Sequence, residues 1–274
     1  MTRIHSSVGY AALAILTASI VAAQGRAQTT FPSAQDAAQA LVTAVDNDDR
    51  RALTDVLGDA GLISTGDDSQ DQTDRRMFVE KYQEMHRLTR EPDGTTVLYV
   101  GAENWPFPVP LLDKGGHWSF DADVGRQEVV MRRIGENEMK AAQVCQELVA
   151  AEKEYEATTG RYARQLVSDS GKHNGLYWEE DHESLRSPIG PFLAKAGAAH
   201  DPTPFHGYYY RAVSAKGRAV AFVAYPAEYR SSGVMTFIVG PDGTVYQRDL
   251  GPRTEQIATT IQSYAPGRAW QKAR

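Results

Sequence analysis

Tyr208-Tyr209-Tyr210-Arg211-Ala212-Val213, Ala219-Val220-Ala221-Phe222-Val223-Ala224-Tyr225, Val234-Met235-Thr236-Phe237-Ile238-Val239 and Thr244-Val245-Tyr246-Gln247-Arg248-Asp249-Leu250 are four runs rich in β-branched and aromatic residues. Such residues favour strands. The breaks between them carry Lys216-Gly217, Ser231-Ser232-Gly233 and Pro241-Asp242-Gly243, which are turn chemistry. Short breaks join antiparallel neighbours, so residues 208–250 read as a four-stranded antiparallel meander.

A sheet with an apolar face needs a layer to cover it. The residues just upstream supply one. Over 135–158, Ala141, Cys145, Leu148, Glu152 and Tyr155 fall on one helical stripe, with Val144, Val149 and Ala151 beside it, and Gly160 ends the run. Residues 161–204 read as loop. Pro252 at the first position opens a last helix to about Tyr264.

Upstream of Ile134 a second pattern holds. Ser33 caps a helix carrying Ala37, Leu41, Ala44 and Val45, and residues 50–57 form a second, ended at Gly58. Residues 66–74 are polar and acidic and read as loop. Residues 75–88 read as a third helix, with Phe78, Tyr82 and Met85 on one face. Residues 95–100 and 117–120 read as strands, and the alternating prolines of 105–111 confine that stretch to an edge. The fold class is α+β in two units. Residues 28–133 carry helices plus a small antiparallel sheet; residues 134–274 carry the long helix plus the meander. Charge divides at the same place: 28–133 holds 11 basic and 19 acidic residues, while 134–274 holds 16 of each.

Arg3 and His5 precede an apolar run over residues 8–23 that ends in Val21-Ala22-Ala23 and is followed by Gly25-Arg26-Ala27. This is the pattern of a secretory signal peptide over residues 1–27, cleaved after Ala27 or Ala23. The expected product is periplasmic or secreted, with no membrane span after cleavage. The chain holds 274 residues at a net charge of −6, and no basic field marks it as a nucleic-acid binder. Cys145 is the one cysteine, so no intramolecular disulfide forms; its place on the apolar stripe predicts burial.

No H-E-x-x-H, G-x-S-x-G, P-loop or dinucleotide fingerprint occurs, and neither a cofactor nor a metal is expected. His173 and His182 flank Glu179, Glu180, Asp181 and Glu183, which are ligand and proton-transfer residue types without the spacing of a metal site. Asp67-Asp68-Ser69-Gln70-Asp71 is rich in oxygen ligands but lacks the glycine and glutamate of a calcium loop. Aromatic residues are the other candidates. Tyr208 and Tyr210 share one strand face and Tyr209 takes the other. The expected surface combines His206, Tyr208, Tyr210, Glu228, Tyr229 and Arg230 with Tyr177 and Trp178; the competing reading packs these rings into the core. The 225–233 connection is too long for a two-residue hairpin, which favours function there.

Two resemblances add to this. The helix ending in Tyr155-x4-Gly160-x-Tyr162 and the following meander, residues 135–250, resemble the globular part of type IV pilins and pseudopilins. Here the helix is internal and amphipathic, unlike the apolar N-terminal helix of a pilin. Trp105-Pro106-Phe107-Pro108-Val109-Pro110, Gly175-Leu176-Tyr177-Trp178, His206-Gly207-Tyr208-Tyr209-Tyr210, Tyr225-Pro226-Ala227-Glu228-Tyr229, Ser232-Gly233-Val234-Met235-Thr236-Phe237 and Asp249-Leu250-Gly251 resemble the bacterial family DUF2950, a domain of unknown function. That resemblance implies a secreted bacterial protein and assigns no catalytic residue. The expected role is a non-catalytic binding or scaffolding protein of the cell envelope, partnered by an envelope protein or a small ligand. The alternative is a periplasmic hydrolase using the histidines and carboxylates of 173–183.

Overall fold

The computed structural model describes residues 28–64, 68–179 and 186–273. The signal-peptide segment, Asp67, and Glu180 to Glu183 lie outside the described residues.

The N-terminal unit opens with α1 (Ala34–Asp46), where the Ser33 hydroxyl accepts from the Asp36 N–H at 3.1 Å. Its Ala37, Leu41 and Val45 are buried. In α2 (Arg50–Leu57) the Asp49 carboxylate takes the first two free N–H groups, from Arg51 and Ala52. A short 3-10 turn, Ala60–Ile63, follows.

α3 (Asp68–Glu84) corrects two expectations. The acidic stretch from Asp68 is the helix's first turns rather than a loop. Asp68 and Asp71 favour a helix N-terminus, where backbone N–H groups point outward. Asp71 is buried, accepts from the Ser64 hydroxyl at 2.6 Å and lies 3.7 Å from the Arg75 guanidinium, which also pairs with Asp48. Asp68, Ser69 and Asp71 thus stand on a helix held by an ion pair, which is not the open loop a calcium site of that spacing needs. The helix also stops at Glu84. His86 to Arg90, partly read as its end, are instead β1 (His86–Arg90), with Leu88 opposite Leu98 of β2 (Thr96–Val100).

β3 (Trp105–Pro106) pairs with β2 alone, while β4 (Leu111–Asp113) and β5 (Trp118–Phe120) extend the sheet as β1-β2-β4-β5. β2 alternates buried and half-buried residues, as a one-sided sheet requires. Leu98, Val100, Phe107, Leu111 and Phe120 close one core against α1 and α2.

The long helix begins earlier than its pattern suggested. α4 (Ala122–Thr159) has 38 residues and runs unbroken through Ile134, where the two units were expected to divide. Asp121 caps it, accepting from Asp123 and Val124. Residues up to Arg132 belong with the first sheet: Arg126 pairs with Asp59 at 3.3 Å, and Arg132 donates to the Pro106 carbonyl at 2.7 Å. From Asn137 onward the helix packs on the second sheet. Ala141, Val144, Cys145, Leu148 and Tyr155 are buried there.

Among its described residues, the segment read as loop contains one short helix, α5 (Pro191–Lys195). The second sheet follows with β6 (Tyr208–Ser214), β7 (Val220–Pro226), β8 (Met235–Val239) and β9 (Val245–Asp249), all antiparallel. It has five strands, since β10 (Gln271–Lys272) pairs with β9. β10 is two residues long, below the length at which alternation can be read. The last helix, α6 (Thr254–Ala258), is shorter than expected. The Arg211 guanidinium ends it by donating to the carbonyls of Ala258, Thr259 and Ile261. β7 is buried on both faces: Phe222 and Ala224 meet α4, while Ala221 and Val223 form a smaller cluster under Tyr225, Tyr264 and Trp270.

Candidate functional site

The site builds up from a tight turn. Phe205 and Tyr208 exchange backbone hydrogen bonds of 2.9 and 3.1 Å across His206 and Gly207. Both central residues have positive φ, +49° and +73°. That is the mirror-image hairpin turn which suits the twist of the flanking strands. Gly207 is required twice, because a Cβ there would also lie 2.5 Å from the Asn137 amide nitrogen.

The connection between β7 and β8 lies beside this turn, joined by the Ala227 N–H to the Gly207 carbonyl at 2.9 Å. Inside the connection, the Ser231 and Ser232 N–H groups donate to the Glu228 carbonyl, and the Glu228 N–H donates to the Ser232 hydroxyl at 2.9 Å. Two residues of α4 fasten it. The Asn137 amide donates to the Ser232 carbonyl at 2.9 Å. One oxygen of Glu138 accepts from both Val234 and Met235, at 2.9 and 3.0 Å.

What this frame presents outward is polar and aromatic. Glu228 and Arg230 are exposed and Tyr229 is half-buried. The Arg230 guanidinium lies 5.5 Å from the Tyr229 ring centre, and the Tyr229 hydroxyl donates to Asp249 at 3.2 Å. His206 tilts against Phe205, 4.1 Å between ring centres. Burial lowers its pKa below the ordinary value, and the Lys140 ammonium adds to this against the opposing carboxylates of Glu136 and Glu147.

The structure therefore places His206, Glu228, Tyr229 and Arg230 at one end of the sheet, with His206 beside Lys140 of α4 and Tyr229 beside Asp249. It does not bring the other four with them. Tyr208 and Tyr210 are fully buried beneath that end, facing α4; their hydroxyls donate to the carbonyls of Met235 and Phe205, at 2.9 and 3.3 Å. The aromatic wall expected from them is a core wall, since theirs is the face the long helix covers. Tyr209 faces the other way, 5.7 Å from Tyr225.

Tyr177 and Trp178 stand near the far end of α4. Tyr155 there donates to the His173 carbonyl at 2.6 Å, about 25 Å along the helix from Glu138. Trp178 is buried and stacked on the His173 imidazole at 4.5 Å, with its backbone clasped by the Ser187 hydroxyl. Glu180, Asp181, His182 and Glu183 lie outside the described residues. Among the described residues no group of three or more His, Cys, Asp or Glu could hold a metal ion. A shallow cleft of about 330 Å³ between α1 and α2, lined partly by Gln39, Thr43, Asn47 and Asp49, holds none of the candidates.

Sequence reasoning passed over Asn137 and Glu138 as site-forming residues. Their signal was present, because Asn137 and Glu138 lie four and three residues ahead of Ala141, toward the side of the helix that carries Ala141, Val144 and Cys145. Glu152 stands out differently. It is buried, and one carboxylate oxygen accepts from the Ala163 N–H at 2.8 Å while the other has no hydrogen-bond partner among the described residues. Burial, aided by repulsion from Glu156, pushes its pKa up to about 7.

Among the described residues no helix is long and apolar enough to cross a membrane. Comparison with curated proteins and with solved structures finds no match to the chain. A family model does match, over residues 28–273, which takes in both sheets, α4 and the candidate site just described. The chain belongs to the DUF2950 family, described as proteins of unknown function.

Proposed function

We propose that this is an exported protein of the bacterial cell envelope that works by binding or scaffolding, and that the β7–β8 connection with the His206 turn is its contact surface. The observation that carries this reading is the way the connection is held. Asn137, Glu138 and Gly207 satisfy its backbone from within, leaving Glu228 and Arg230 exposed on either side of a half-buried Tyr229. A connection fixed by its own hydrogen bonds loses little conformational entropy on binding, which favours recognition. A tyrosine flanked by opposite charges offers an apolar body with polar handles.

Export rests on the pattern of residues 1–27, and the family match begins at Gln28, the residue after the expected cleavage site. The pilin-like reading of residues 135–250 contributes an architecture only, a helix laid along a meander. The internal position of α4 gives it no free apolar half for filament packing.

The test places a photo-crosslinking residue at Glu228 or Arg230, and at Asn47 of the first unit as a control, in cells expressing the full chain. Adducts of discrete mass from the first two positions and none from the third are expected. Equal labelling at all three, or material whose first residue is still Met1, overturns the reading.

A further inference from the structure

Three of the sheet edges are closed or very short. At β5 the Phe31 N–H donates to the Trp118 carbonyl and the Trp118 N–H to the Phe31 carbonyl, at 2.7 and 2.8 Å. At β6 the Tyr210 and Ser214 N–H groups donate to the Ala196 and Gln262 carbonyls, and the Ser214 carbonyl accepts from the Tyr264 N–H. β10 has two residues. β1 differs, because it pairs with β2 on one side and with no strand on the other. The phase of that pairing is fixed at both ends: the Gly101 N–H donates to the Met85 carbonyl and the Glu91 N–H to the Thr95 carbonyl, each at 2.8 Å. Antiparallel partners exchange hydrogen bonds at alternate residues, so Arg87 and Thr89 turn their backbone groups to Tyr99 and Val97. His86, Leu88 and Arg90 turn theirs outward, and no hydrogen bond from the described residues reaches those N–H and C=O groups.

The side chains of those three residues share one face of the strand. Leu88 is half-buried against the first core. His86 is stacked on Tyr82, 3.8 Å between ring centres, and its Nδ1 donates to the Tyr82 carbonyl at 2.9 Å, which leaves Nε2 as an acceptor. Arg90 is exposed and has no ion pair among the described residues. The carboxylates nearest in sequence are already engaged: Glu84 lies 3.3 Å from the Lys81 ammonium, and Glu91 accepts from the Tyr99 hydroxyl at 3.0 Å.

We propose that β1 is a docking edge for an extended acidic segment of a partner protein, which adds to the sheet as an antiparallel strand. A row of unpaired backbone groups is a template for another strand, and the antiparallel pairing is the more stable per residue. Such a segment places one residue opposite Arg90, one opposite Leu88 and one opposite His86, in that order and on one face. The groups there call for a carboxylate, an apolar side chain and a hydroxyl, at every second position. Charge selects the occupant. A second β1 pairing about Leu88 would set Arg90 of each strand opposite His86 of the other, with no carboxylate between the two strands' arginines, and like charges placed opposite one another are destabilising. An acidic segment instead supplies the partner that Arg90 lacks.

The experiment follows amide exchange residue by residue, by NMR, in the protein expressed as the full chain, with the blocked peptide Ser-Thr-Glu-Thr-Val-Thr-Thr-Ser added up to about 1 mM. Exchange at Leu88 and Arg90 slows by about tenfold with the peptide. Methylating the valine nitrogen, which points at the Leu88 carbonyl, weakens binding by about tenfold or more, while methylating the nitrogen of the threonine before it, which points away, changes it by less than about twofold. Lysine in place of the glutamate weakens binding by about fivefold, and Arg90→Glu, at an exposed position, inverts that preference. Exchange at Leu88 that about 1 mM peptide does not slow overturns the proposal. So do equal losses from the two methylated peptides, or a preference for glutamate that Arg90→Glu leaves unchanged. Slow exchange at Leu88 without peptide, growing with protein concentration, means that a second copy holds the edge and also overturns it.

Discussion

Replacing Glu152 by glutamine should make the protein more stable above neutral pH and leave it little changed in acid. The carboxyl is buried on the core side of α4 with one oxygen on the Ala163 N–H and the other without a partner among the described residues. In the unfolded chain it releases its proton near 4.5; in the folded chain burial holds the proton to about 7. Between these values the unfolded state binds fewer protons than the folded one, so stability falls as pH rises from about 4.5 to about 7 and is level above. The span corresponds to about 3 kcal/mol at most, and screening where the side chain nears the surface by Glu156 reduces this to about 2 kcal/mol. Glutamine keeps the bond to Ala163 and carries no charge, so its stability should not change over that window. The assay is urea unfolding of both proteins at intervals from pH 4.5 to 8.5, with the slope against urea checked for constancy. The variant should gain about 2 kcal/mol on the wild type by pH 8. Glu156→Gln should slide the wild-type transition to lower pH, since it removes the repulsive neighbour. A stability difference between Glu152→Gln and wild type that does not vary with pH would refute the assignment.

Glu138→Ala should cost about 1–3 kcal/mol, because it strips two backbone N–H groups of their acceptor. Hydrogen exchange should accelerate first at Val234 and Met235, and unchanged protection there would contradict the anchoring role. Tyr208→Ala should cost about 3–5 kcal/mol in thermal or urea unfolding, while Tyr229→Ala should cost under about 1 kcal/mol, since only the first ring is in the core. Equal losses would mean that Tyr229 plugs the end of the sheet. Burial raises the Cys145 thiol pKa well above its usual range, so a thiol reagent should label the native protein only at the rate of unfolding.

The order of elements was legible wherever side chains repeat with a clear period. The meander and the buried stripe of α4 were both readable, because Phe222, Phe237, Cys145 and Leu148 stand where those periods put core residues. The failures have local causes. Asp68 to Asp74 looks like loop because nothing in its composition is apolar, yet the acids suit a helix start and Asp71 finds Ser64 and Arg75 across the fold. Leu88 continues a helical apolar spacing but is drawn into a hairpin by Leu98. α4 was read from Gly135 because its earlier turns are charged and bury only Gly125. At the candidate site, His206, Glu228, Tyr229 and Arg230 could be found because turn residues mark both connections. Alternation divides Tyr208 and Tyr210 from Tyr209, but it cannot say which face is covered. That depends on where a helix 50 or more residues upstream comes to rest.

The path of α4 explains why the candidate site and an exposed stretch of the helix lie so close together. The helix enters with its first turns committed to Val109, Asp59 and Pro106, and leaves with its later turns committed to β7, β8 and β9. Helical geometry carries the buried face from one side to the other over the intervening turns, so no residue there is enclosed by either core. Asn137 and Glu138, half-buried at the C-terminal side of those turns, are spent on fixing the β7–β8 connection. Met139 and Gly135 are their neighbours on the helix and point away from it. The helical turn that Asn137 and Glu138 share thus fastens Ser232 and Val234. Tightening that turn would stiffen the connection, and loosening it would free Glu228, Tyr229 and Arg230 together. A substitution such as Glu138→Ala should therefore disturb the presentation of Glu228, Tyr229 and Arg230 even though Glu138 itself faces the sheet.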